Sequence, residues 1–108
     1  MANQEHIDLL RQGVEVWNQW IEDHPGVMPN FKRADFSGAD LHGINLTYAD
    51  LNEVILVETN LSEANLQFAN LSDGDLRRAS FYLADLSDAT LHRANLTEAD
   101  FRSTRLFF

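Results

Sequence analysis

The chain has no cysteine, only two prolines and five glycines in 108 residues. No disulfide can form, and the absence of cysteine points to a reducing, cytoplasmic setting. No stretch approaches the roughly 18 apolar residues that span a bilayer, so no membrane association is expected. The first residues carry acids and lack an apolar core segment, so a signal peptide is not expected either. Bases are scarce, with 8 Lys and Arg against 17 Asp and Glu and a net charge of −9. Phosphates would be repelled, which disfavours direct nucleic-acid binding; the simplest role of the charge is solubility. Gly38, Gly43 and Gly74 are isolated from one another, so there is no glycine-rich phosphate loop. The length fits a single domain, 1–108.

What is abundant is a period of five. A Leu or Phe returns at Phe31, Phe36, Leu41, Leu46, Leu51 and on without a slip to Leu106. Two residues before each centre stands a small residue, usually Ala, and between the two mostly Asp or Asn, as in Ala39-Asp40-Leu41. On an α-helix a five-residue step advances about 140°, which would smear the leucines around the surface. On a flat strand it would alternate their faces. The pattern is coherent if the chain bends once per repeat, so that four repeats close a 20-residue coil with the large and small apolar groups inside. This is an all-β solenoid. The Asp/Asn position is expected at the outer corner, where a short polar side chain bonds the turning backbone. Coils stacked at strand spacing would make a column about 19 Å tall.

These A-(D/N)-L-x-x units over residues 31–106 resemble the pentapeptide-repeat proteins. The resemblance implies a right-handed quadrilateral β-helix of about four coils. Val54 is large where a small residue is expected, and Gly74 is too small. Four repeats per coil would stack these two directly, so that one fills space left by the other. Phe81 and Phe101 should stack likewise. Ile44, Thr59 and Thr104 are milder departures.

Residues 3–23 read as one helix: Ile7, Leu10, Val14, Trp17 and Ile21 form an apolar stripe, Asn3 is the N-cap, and His24-Pro25-Gly26 is the stop. A solenoid exposes apolar side chains and unpaired backbone at its end, so this helix is expected to cap the first coil. Residues 25–30 are the connector. The stretch from Gln12 to Trp20, followed by Pro25, is similar to N-terminal segments of cyanobacterial pentapeptide-repeat proteins.

Chemistry is hard to find. His6, His24, His42 and His92 have no metal-ligand spacing and read as surface residues, with His42 and His92 on opposite walls. Asp73 and Asp75 resemble a catalytic pair, but their repeat positions explain both. No triad has a pocket to work in. No catalytic, metal-binding or cofactor-binding residue is assigned, and no enzyme is expected. The exposed positions after each centre are more informative. Tyr48 and Phe68, 20 residues apart, should stack, and with Tyr82 and Leu83 they form the candidate partner patch; Ile55 and Val57 are expected outside on another wall. At the C-terminus Leu106, Phe107 and Phe108 either cover their own coil or join two chains end to end as a homodimer. The expected function is a non-catalytic protein-interaction scaffold. The resemblance adds an alternative, an acidic DNA mimic acting on a type II topoisomerase.

Overall fold

A computed structural model describes all 108 residues. The chain opens with two helices, α1 (Gln4–Arg11) and α2 (Val14–Asp23). From residue 30 onward it winds so that each bridge is parallel and joins residues 20 apart, from Asn30–Asp50 to Asp85–Arg105. Successive turns therefore comprise residues 31–50, 51–70, 71–90 and 91–106. The molecule measures 33 × 23 × 22 Å, and its two near-equal short dimensions suit a four-sided winding.

One repeat shows why the pentad is self-sufficient. Leu71 N–H donates to the Thr90 carbonyl in the next turn at 2.7 Å, and Asp73 N–H to His92 at 2.9 Å. Asp75 N–H donates back to Val54 at 2.9 Å, and Gly74 N–H closes a tight turn on the Leu71 carbonyl at 3.1 Å. The fifth amide, Ser72, donates to Asn70 Oδ1 at 3.0 Å. Every amide in the unit is satisfied, as buried backbone requires.

This bonding corrects the expected place of the Asp/Asn residue. The bend lies at the two residues after each centre, and the second of them has positive φ: Tyr48 at 62°, Phe68 at 61°, Asp73 at 62°, Leu83 at 60°. That is the geometry of a type II turn. The Asp/Asn residue lies instead in the bridge along the flat side, and its side chain reaches forward to the turn amide. Asp50 Oδ1 accepts from Asn52 N–H at 3.0 Å and Asn65 Oδ1 from Gln67 N–H at 3.1 Å. Left-handed backbone costs an ordinary residue about 1–2 kcal/mol. Here the cost recurs at Glu, Arg, Asp, Tyr, Phe and Leu, and the inter-turn bonds on either side hold each one in place.

Inside, Leu56, Leu61, Leu66, Leu71, Leu76, Phe81 and Leu86 are fully buried, and Ala49, Ala64, Ala69, Ala79 and Ala84 nearly so. Phe81 and Phe101 stack at 4.9 Å with planes 5° apart. Val54 and Gly74 do lie one above the other, through the Asp75 N–H to Val54 bond. The filling is different from that expected. The atoms closest to a methyl placed on Gly74 are the Leu71 carbonyl, Leu76 Cδ2 and the Val54 carbonyl, so Leu76 and backbone crowd the site. Thr59 is tolerated in the core because its hydroxyl donates to the Phe36 carbonyl at 2.8 Å; Thr104 does the same to Phe81 at 2.6 Å.

The N-terminal stretch is two helices and not one. Gly13 takes φ +121°, which L side chains rarely adopt, and breaks the path between them. The break lets both helices lie over the first turn. Asn3 caps α1 through His6 N–H at 3.2 Å, and its own N–H donates to the Asn30 carbonyl at 3.0 Å. Trp17, fully buried, donates from Nε1 to the Asn45 carbonyl at 2.7 Å and meets Phe31 edge-on at 5.1 Å. Asn18 accepts from Asn45 N–H at 2.8 Å and donates to the Gly43 carbonyl at 3.1 Å.

His6 is not a surface residue. It is 5% exposed, among Trp17, Trp20 and Phe31, and its Nδ1 accepts from Asn30 N–H at 3.0 Å. An accepting Nδ1 must carry no proton. Burial holds the His6 pKa below its ordinary 6.5, opposed by nearby Glu5. His6 is therefore neutral in the folded chain and readily charged in the unfolded one, so folding stability falls as pH drops below about 6.5 and continues to fall toward the lowered folded-state pKa. Urea unfolding followed by tryptophan fluorescence should show this loss between pH 7.5 and pH 5, and H6Q should flatten that part of the curve. Identical slopes in the two proteins would remove His6 from the account.

Candidate interaction surface

The turns stack into four corner columns, because residues 20 apart are bonded one above another. Three columns carry charge. In the first, Arg33 pairs with Glu53 at 2.8 Å and Arg93 with Asp73 at 2.7 Å. In the second, Arg78 lies between Glu58 at 3.0 Å and Glu98 at 3.5 Å. The third holds His42 against Glu63 at 3.1 Å, and the Arg102 guanidinium 5.6 Å from the Tyr82 ring centre. Along the sides, Arg77 forks onto Asp75 and Arg102 onto Asp100. These bonds hold the carboxyls of Asp73, Asp75 and Asp100 below their ordinary range. Burial pushes Asp85 up, but bonds from Ser87 and Gln67 outweigh it and leave the group low.

The fourth column is different. Tyr48 and Phe68 stack at 4.7 Å with planes 5° apart, and each is about half exposed, 49% and 47%. Beside them stand Thr47 and Gln67; below come Ser87, the single charge Asp88, then Phe107 and Phe108. At the upper end a recess of about 250 Å³ is lined by Ile21, His24, Val27, Met28, Thr47 and Tyr48 among others. Met28 is 65% exposed and Val27 37%. Apolar surface thus runs from the connector down this edge.

Of the four residues expected to form one patch, the structure joins Tyr48 to Phe68. Tyr82 and Leu83 are exposed on the neighbouring corner, and Tyr82 lies against Arg102 instead. Val27 and Met28 escaped the sequence reading, although Met28 precedes Tyr48 by 20 residues and shares its phase. Ile55 and Val57 are half-buried, with Ile55 in the bridge of its side. Leu106, Phe107 and Phe108 are 40%, 72% and 73% exposed. They do not fold over the last turn, because the Phe107 carbonyl accepts from Asp88 N–H at 2.7 Å and so continues the winding. Leu96 at the same end is 37% exposed. No three His, Asp or Glu side chains converge as metal ligands would. No helix is long and apolar enough to cross a membrane.

Residues 29–101 match the family model described as a pentapeptide repeat region. Several solved structures share the fold. HetL, a pentapeptide repeat protein involved in heterocyst differentiation regulation in the cyanobacterium Nostoc sp. strain PCC 7120, is 31% identical over 72% of this chain, with a TM-score of 0.69. The protein alr5209 from Nostoc PCC 7120 is 37% identical over 68% of the chain, TM-score 0.66. Rfr23 from the cyanobacterium Cyanothece 51142 is 37% identical over 75%, TM-score 0.63. The matched part is 36%, 60% and 59% of those proteins respectively, so the chain spans less than two thirds of each. No curated protein matches it in sequence. The repeat match covers most of the molecule, and the bonding pattern repeats throughout it; the chain belongs to the pentapeptide repeat family.

Proposed function

We propose that the protein is a non-catalytic scaffold that binds another protein along its aromatic corner. One observation carries this reading: three corner columns consume their charges in ion pairs, whereas the fourth offers the Tyr48–Phe68 stack with Met28 and Val27 above it. Contiguous exposed apolar surface of this kind marks contact sites more often than scattered residues do. The filled interior supports the absence of catalysis. In this reading the winding is right-handed, with about four coils and with α1 and α2 as the cap, and the protein acts in the cytoplasm. Tyr82 and Leu83 extend the contact around the next corner.

The DNA-mimic alternative draws on the net charge of −9. It is weakened because Glu53, Glu58, Asp73, Asp75, Glu98 and Asp100 face arginines of the same chain. Inhibition of gyrase supercoiling by the protein would favour the mimic.

Ser103 already occupies the left-handed turn position, so serine fits where Tyr48 and Phe68 stand. Y48S with F68S should leave stability within about 1 kcal/mol while abolishing capture of partners by the immobilised protein. Equal capture by both proteins would eliminate the aromatic corner.

The exposed Leu96, Leu106, Phe107 and Phe108 support end-to-end association of two copies through the last turn. Sedimentation equilibrium should show dimers at high micromolar concentration and monomers for F107S with F108S. A wild-type chain that remains monomeric there would refute this contact.

A further inference from the structure

In every turn after the first, the Asp/Asn-position residue is bonded upward twice. Its N–H donates to a carbonyl 21 residues back and its carbonyl accepts an N–H from 19 residues back, as Asp75 does with Val54 and Leu56. The first turn has no turn above it, and the helices replace one only in part. At Asn30 the substitutes are His6 Nδ1 and the Asn3 N–H. At Asn45 they are Asn18 Oδ1 and Trp17 Nε1. At Asp35 and Asp40 neither the N–H nor the carbonyl has a partner within the chain, and the upward carbonyls of Ser37 and His42 also stand open.

This half of the first turn lies under the joint between the helices. A cleft of about 330 Å³ separates Leu10, Arg11 and Val14 above from Phe36, Ala39 and Leu41 below. It continues into a second of about 450 Å³ beside Glu15, Asp40 and His42.

We propose that this open edge is a docking site for an extended peptide segment of a partner protein, added as a strand over residues 35–42. A strand supplies the alternating donors and acceptors the edge needs, whereas a helix has its own bonded internally. A second copy of this chain does not fit: α1 and α2 stand over Asn30 and Asn45 and would strike the flat end of another solenoid, while a single strand passes between them. Asp35, Asp40 and Glu15 against Arg11 favour a segment with Lys or Arg flanking a small apolar side chain, which faces Leu10, Phe36 and Leu41. The inference rests on the scaffold reading but uses a different face, so the loss of either surface leaves the other testable.

The probe is a synthetic seven-residue peptide alternating lysine with valine or alanine, titrated into the full-length protein labelled with ¹⁵N. Saturable shifts should appear at the Asp35 and Asp40 amides, with at least tenfold slower hydrogen exchange there. The same peptide with every backbone amide methylated should bind at least tenfold more weakly. No saturable shift at millimolar peptide would overturn the proposal, as would equal binding of the methylated peptide. So would shifts confined to the last turn or to Tyr48 and Phe68.

Discussion

The structure depends on main-chain pairing between residues 20 apart. Three of the five amides in each pentad bond to a neighbouring turn, one closes the bend, and one is held by the Asp/Asn side chain. The side chains then follow from the backbone. Only two positions per pentad point inward, so one is large and one small, and density is kept without voids. The left-handed residue at every bend is strained in isolation. It persists because the bonds on both sides of it leave no other path.

Such an architecture has two unlike ends. The upper face of any turn presents two carbonyls and one amide per pentad, and the lower face two amides and one carbonyl, so identical units would stack without limit. The first turn is shielded by α1 and α2, whose Asn3, His6, Trp17 and Asn18 imitate half of a missing turn. The break at Gly13 makes that imitation feasible, since a straight helix could not reach both Asn30 and Asn45 over the flat end. The same geometry leaves Asp35 and Asp40 open. At the other end the amides of Leu91, Arg93, Leu96, Glu98, Phe101 and Ser103 have no acceptor, and Phe107 and Phe108 are exposed beside them.

Much of this was legible in the residues. The five-residue return of Leu and Phe is incompatible with helix or flat strand, and the 20-residue coil, the Tyr48–Phe68 stack and the Phe81–Phe101 stack all follow from it. The position of the bend was not legible. Left-handed turn sites normally signal themselves by Gly or Asn, and here Glu, Arg, Tyr and Phe occupy them, so the Asp/Asn residue was placed at the corner instead. The apolar stripe of residues 7–21 continues across Gly13, which concealed the break between helices. His6 looked like any surface histidine because its acceptor role depends on Asn30, a contact across 24 residues. The partner surface was half legible: Tyr82 is claimed by Arg102, while Val27 and Met28 come from a connector with no repeat signature.

Function enters through what the repeat leaves unused. The interior is filled and the charges on three corners are paired, so the aromatic corner and the open edge of the first turn are the surfaces with unspent recognition chemistry. Both presuppose the 20-residue ladder. Amide hydrogen exchange read residue by residue tests that ladder most directly. The account predicts strong protection at Leu56, Leu61, Leu66, Leu71, Leu76 and Leu86, and fast exchange at Leu91, Leu96 and Phe101, whose downward amides are unpaired. Uniform protection across both groups, or fast exchange at the central leucines, would contradict it.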